Sequence, residues 1–272
     1  MLKEALMGSL VGGALALDTE AAFQFMISRP LVCGPVIGLL LGDVGTGLAI
    51  GAILELLNSG NLLVGGRTPP DASLATAVAT SIVLMDKSYL GSDAKNSLLG
   101  LSIIYSFYMG ILAGRLEHLF KTKVNVWFLR RARSYAEDGR LSELARLNWE
   151  GLGLRYFKNF SLAFVSALVG FYPIRAVVSL MPPWSEGLWR SLYLILPFVG
   201  LGSALKAFGM DRLFWFLPVG FTATLFLGSL GRMDIATTII LASAAGLSAL
   251  LLLRFTFGLT FPPGGRRQQG GG

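Results

Sequence analysis

A chain of 272 residues with 53% hydrophobic and only 14% charged side chains is not composed like a water-soluble domain, in which about a quarter of the residues carry charge. Its mean hydropathy of +0.63 would leave large apolar patches facing water, whereas a bilayer matches that surface to its solvent. With one cysteine, Cys33, and one histidine, His118, the chain can close no internal disulfide and offers no ordinary zinc or haem ligand set; no metal or cofactor is expected. The net charge of +7 would indicate nucleic acid in a soluble protein. Here its position along the chain gives a better explanation, and no nucleic-acid partner is expected.

The first apolar run covers residues 2–17. Lys3 and the Ala14-Leu15-Ala16 sequence give it some likeness to a secretory signal. Further membrane-type sequence follows instead of an exported domain, so an uncleaved first segment is expected. The next runs, 31–42, 44–54 and 74–85, are each too short to cross a bilayer as a helix, which takes about 20 residues. Gly, Pro and acidic residues interrupt them. Such backbone is tolerated at membrane depth only where protein or a water-filled cavity surrounds it. Re-entrant or broken helices are therefore predicted for the N-terminal third, and helices of this kind often build transporter binding sites.

Longer uncharged stretches at 97–114, 213–231 and 235–253 predict spanning helices, as does 159–180, whose one charge is Arg175 beside the region of Pro173. Residues 191–205 form a shorter candidate, with Arg190 and Lys206 placed to snorkel from its ends. Between residues 120 and 160 lie nine basic and four acidic side chains, which puts this stretch in the cytoplasm by the positive-inside rule. Crossings after it return the C-terminus, with Arg254, Arg266 and Arg267, to the same side. Residues 130–149 read as amphipathic helices resting on the bilayer surface and broken at Gly139; the same segment suits a docking platform for a cytoplasmic partner. The expected architecture is all-α: a polytopic membrane helical bundle with short re-entrant or broken helices at its start. Residues 1–118 form its Gly-rich membrane region with the candidate site. A basic amphipathic cytoplasmic segment follows at 119–158, then a membrane helical bundle at 159–258 and a disordered tail at 259–272.

The residues able to carry chemistry crowd between Asp18 and Asp71. Gly34, Gly38 and Gly42, then Gly47 and Gly51, recur at spacings of four, which aligns them on one helix face where backbones can approach closely. Glu55 follows eleven uncharged residues. A carboxylate at membrane depth costs about 2.5–3.5 kcal/mol on insertion scales, so Glu55 should meet a partner or a polar cavity. An ion pair with Arg29 satisfies that demand, and so does substrate binding. Carboxylates and amides each hold sugar hydroxyls at fixed geometry. Asp43 is balanced between a helix cap and a functional group. Asp71, after Pro69-Pro70, is expected to cap a helix starting at Ala72. Cys33 reads as a small packing residue, and His118, next to Glu117, as an interfacial structural histidine.

Gln24 with Arg29-Pro30-Leu31, Leu41-Gly42-Asp43, Thr46-Gly47, Gly51 with Leu54-Glu55, and Val64-Gly65-Gly66 through Pro70-Asp71 resemble the signature region of the IIC subunit of the mannose–fructose–sorbose phosphotransferase systems. Ala136-Glu137-Asp138-Gly139-Arg140-Leu141 is similar to that family's cytoplasmic A-(D/E)-x-G-x-L stretch. The resemblance implies a non-catalytic permease subunit of a hetero-oligomer, multi-pass in the bacterial inner membrane and in contact with its lipid. It implies a IID membrane partner and cytoplasmic IIA and IIB, which relay phosphate from phosphoenolpyruvate through histidines to the sugar as it is released inside. On that analogy Gln24, Glu55, Asn58 and Asp71 are the expected sugar-facing residues, with Arg29 and Asp43 in support. One departure is Asn61, where many family members carry an aromatic residue. Two other readings stay open: an orphan or regulatory membrane subunit without transport, and a membrane-embedded transferase. The acidic residues of 120–160 are too few and too interspersed with arginine to favour the transferase.

Overall fold

The structure, a computed structural model, describes residues 1–19, 24–60, 69–87 and 94–207. The spans expected at 213–231 and 235–253, the C-terminal tail, Asn61 and Gly65-Gly66 lie outside the described residues. The described chain is helical: α1 (Leu2–Ala16), α2 (Pro30–Leu41), α3 (Val44–Asn58), α4 (Ala72–Met85), α5 (Lys95–Glu137), α6 (Leu141–Leu180) and α7 (Glu186–Ala207). The first four have 12 to 15 residues, about 18–22 Å at 1.5 Å per residue, which is short of a bilayer's hydrocarbon core of about 30 Å. α5 and α6 have 43 and 40 residues, about 60 Å each.

The short α4 is the centre. Every residue from Ser73 to Met85 is buried, and α1, α2, α3, α5 and α6 all pack on it. A helix covered on all sides has no solvent face to pattern, so its apolar and small residues run all round. α1 meets it through Gly8 and Gly12, where a Cβ would run into Ser81 and Ala77. Cys33 is fully buried, and its thiol points at the Ser73 carbonyl oxygen, 3.8 Å away.

α2 and α3 form an antiparallel hairpin. Pro30 opens α2, where its missing N–H costs nothing. Gly42, at φ +85°, ends α2 in the left-handed region that glycine enters freely. Across the hairpin the glycine series brings backbone onto backbone: a Cβ on Gly34 or Gly47 would collide with the other's carbonyl oxygen, and one on Gly51 with that of Pro30. The Lys87 ammonium donates to the Leu41 carbonyl oxygen at 2.6 Å, closing the C-terminal end of α2 as basic side chains do.

α5 and α6 form a second, much longer antiparallel hairpin, turning at Asp138–Arg140 with Gly139 at φ +70°. The break at Gly139 falls where the sequence puts it. The stretches on either side of it are not helices separate from α5 and α6. α5 contains no proline and no interruption, and sharp kinks need such a cause. The basic stretch 121–137 is the continuation of α5 itself. Likewise α6 runs unbroken from Leu141 into the stretch expected to span.

Candidate functional site

At the ends of the short helices lies a cavity of about 540 Å³. One wall begins after α1. Asp18, 3% exposed, accepts hydrogen bonds from the Phe25 N–H at 2.7 Å and from the Ser28 N–H and hydroxyl at 3.4 and 3.5 Å. These bonds fold the loop that carries Gln24 to the cavity. Gln24 and Met26 sit at φ +56° and +63°, a conformation that costs a non-glycine residue roughly 1–2 kcal/mol. Strain of this kind persists where the surroundings hold it, commonly at ligand sites.

The second wall is the α2–α3 hairpin. Arg29 Nη1 pairs with Glu55 Oε1 at 2.9 Å, and Glu55 Oε2 accepts from the Leu31 N–H at 3.4 Å. Both side chains line the cavity, so the ion pair expected for Glu55 and its exposure to a solute coexist. One turn on, Asn58 also lines the cavity and donates to the Leu54 carbonyl oxygen at 2.8 Å.

The third wall is the segment entering α4. Asp71 Oδ1 accepts from the Leu74 N–H at 2.9 Å and the Ser73 hydroxyl at 2.7 Å, as an N-cap. Its own N–H donates to the Gly110 carbonyl oxygen at 2.9 Å. This close approach needs glycine on α5: a Cβ on Gly114 would lie 2.6 Å from the Pro69 oxygen. Asp71 therefore both caps α4 and faces the cavity.

The structure thus brings Gln24, Arg29, Glu55, Asn58 and Asp71 to one cavity. It does not bring Asp43 there. Asp43 caps α3 at the opposite end, accepting from the Thr46 N–H at 2.9 Å and the Thr46 hydroxyl at 2.7 Å. Twelve positions of helical rise set it apart from Glu55, about 18 Å along the axis. His118 is exposed and outside the lining; its carbonyl oxygen accepts from the Thr122 hydroxyl at 3.0 Å.

Sequence reasoning missed the fourth wall, Gly114 and Glu117 from α5 with Arg155 and Asn159 from α6. Glu117 pairs with Arg155 at 3.4 Å and with Lys158. The spacings of three and four place each pair on one helix face, a signal present in the sequence. It was hidden because Arg155 and Lys158 count as two more charges in a basic stretch. Seen whole, the lining combines carboxylates, amides, hydroxyls and two guanidinium groups with an apolar remainder of Pro, Ala and Met. Such a surface suits a neutral, polyhydroxylated solute.

The fold and cavity define a class: a polytopic all-α membrane protein that holds a polar site where broken helices meet long ones. A solved structure described as "Structure of membrane protein" has the same fold, with a TM-score of 0.58 at 20% identity over 96% of this chain and 99% of that one. The family "PTS system sorbose-specific IIC component" matches residues 2–251, and the chain belongs to it, as an inner-membrane IIC permease component of the mannose–sorbose phosphotransferase type. Among its relatives, the sorbose-specific EIIC component of Klebsiella pneumoniae is 29% identical over 74% of this chain and 72% of that protein. The N-acetylgalactosamine permease IIC component 1 of Escherichia coli K12 is also 29% identical, over 74% of this chain and 71% of that protein.

Proposed function

We propose that the chain works with a IID-type membrane partner, binds a hexose-type sugar in the cavity, and presents it to phosphorylated IIB during uptake. One observation carries the reading. Gln24, Glu55, Asn58 and Asp71, singled out as sugar-facing on sequence alone, come from three separate segments and line the same cavity. Glu55, oriented by Arg29 and the Leu31 N–H, accepts hydrogen bonds from sugar hydroxyls, and the amides of Gln24 and Asn58 both donate and accept. In the transfer step the P–N bond of a phosphohistidine on IIB breaks and a P–O bond to the sugar forms. The hydroxyl proton passes to the freed imidazole.

The first test is purification in mild detergent with mass spectrometry of the co-purifying proteins. Phosphorylation of labelled sorbose, N-acetylgalactosamine, fructose and mannose by the recovered complex, with phosphoenolpyruvate and cytoplasmic extract, follows. A IID-like and a IIB-like protein should be recovered, and Glu55→Gln should lower phosphorylation at least about tenfold, the scale of a lost charged hydrogen bond, with membrane insertion intact. Full activity in that variant removes Glu55 from the site. A chain recovered alone and inactive toward all four sugars favours the orphan or regulatory reading.

A further inference from the structure

Arg155 belongs to two cavities. It lines the site cavity together with Glu117 and Asn159. It also lines a second cavity of about 580 Å³ between α5 and α6, farther along the hairpin, with Phe120, Phe128 and Leu147 among its walls. Its guanidinium lies 3.4 Å from Glu117, and Lys158 holds the same carboxylate. The side chains of Arg155, Glu117 and Lys158 are only 14%, 15% and 17% exposed. Phe120 flanks both cations, its ring centre 5.9 Å from Arg155 and 5.2 Å from Lys158. Charges secluded in this way lose hydration, and an ion cluster in such a place is a weak source of stability. Its value lies elsewhere.

The site cavity has an acidic lining: Asp18, Glu55, Asp71 and Glu117 against Arg29 and Arg155. Carboxylates welcome sugar hydroxyls but repel the dianion that the sugar becomes once phosphorylated. Arg29 is committed to Glu55 at 2.9 Å. Arg155 stands where the acidic cavity meets the hairpin cavity, and a guanidinium is the side chain best shaped for bidentate phosphate recognition.

We infer that Arg155 receives the phosphate group of the phosphorylated sugar at the boundary of the two cavities. It exchanges Glu117 for the phosphate while Lys158 keeps Glu117 neutralised. The inference rests on the sugar-carrying reading and adds a direction to it: neutral sugar is held by the acidic lining, and the product anion is drawn toward the hairpin. A phospholipid headgroup offers similar phosphate chemistry. The 14% exposure of Arg155 within a walled cavity favours a small soluble phosphate monoester.

The test is a binding titration on the full chain, purified with its membrane partner, using sorbose, N-acetylgalactosamine, fructose, mannose, mannose 6-phosphate, inorganic phosphate and short-chain phosphatidylglycerol as probes. In Arg155→Gln the affinity ratio of mannose 6-phosphate to mannose should fall at least about tenfold, and Arg155→Lys should recover part of it. Glu117→Gln should raise the affinity for inorganic phosphate by removing the carboxylate that competes for Arg155. An unchanged ratio in Arg155→Gln overturns the inference and leaves the sugar reading standing. Arg155-dependent phosphate binding in a protein that binds none of sorbose, N-acetylgalactosamine, fructose and mannose keeps the anion site and counts against the sugar reading. Saturation by phosphatidylglycerol with no response to mannose 6-phosphate overturns it in favour of lipid. Should Arg155→Gln fail to fold, the same ratio is read in Lys158→Gln, where Glu117 tightens on Arg155 and the ratio should still fall; an unchanged ratio there overturns the inference.

Discussion

Two antiparallel helical hairpins among the described residues are built on opposite principles. In α2–α3 the backbones touch through Gly34, Gly47 and Gly51, so register is set by the absence of side chains. In α5–α6 the helices are joined by side chains: Tyr105 donates to the Ser166 carbonyl oxygen at 3.0 Å, Glu117 binds Arg155 and Lys158, and the Phe128 ring packs 3.6 Å from where Gly151 would carry a Cβ. The first kind of contact is rigid and intolerant, because a carbonyl oxygen cannot move without its helix. The second can be re-paired one side chain at a time. Both kinds contribute to the cavity, one as a fixed wall and the other as a wall whose charges can change partners.

The sharpest way to break this contrast is to place the same methyl group in each hairpin. Gly47→Ala should cost about 3 kcal/mol or more, the upper range for overpacking, and should remove most monodisperse protein in detergent. Gly153→Ala in α6, where no side chain or other helix among the described residues lies within 4 Å of the added carbon, should leave the melting temperature equal or slightly higher, since alanine is the better helix former. Equal losses at both positions would refute the contrast. A smaller effect is expected at the junction of the two regions. Asp71→Ala removes the α4 cap and should cost about 1 kcal/mol in denaturant titration, while Asp71→Asn keeps most of it. If Asp71→Asn retains stability but loses sugar binding, capping and substrate contact are separated. The smallest effect belongs to the far end of α5. Arg133 and Glu137 form an exposed pair at 3.0 Å, and Glu137→Gln should change stability by less than about 0.5 kcal/mol. A larger loss would show that the distal hairpin holds the fold by more than its own helices.

The two hairpins also differ in how far the sequence disclosed them. The glycine spacing is local and periodic, so the close packing of α2 on α3 could be read directly. Asp71 after two prolines and Gly139 in a polar stretch were legible for the same reason: caps and left-handed turns are chemistry of neighbours. Residues 24, 29, 55, 58 and 71 were grouped by resemblance, and their common cavity follows from the fold. Glu117 and Arg155 were not found, because they are 38 residues apart and meet only through the register of α5 on α6. Charge content in that stretch reported on the side of the membrane and was silent on partners. Asp18 was noticed only as the start of the chemistry-bearing segment, since its role depends on N–H groups presented by a loop seven to ten residues later. Asp43, balanced in the sequence between a helix cap and a functional group, is found as the cap, with the Thr46 hydroxyl and amide donating to it.

The burial of α4 on every side has a consequence for how the protein is made. Fourteen residues bearing Ser73, Thr76, Thr80 and Ser81 are too short to span a bilayer and too rich in hydroxyls to rest stably against lipid chains. Two of the helices that enclose α4, α5 and α6, come later in the chain. During synthesis α4 therefore cannot be enclosed as it is here before α5 and α6 have emerged. The Asp86–Arg175 pair at 3.3 Å, which joins the far end of α4 to α6, cannot form until residue 175 has been made.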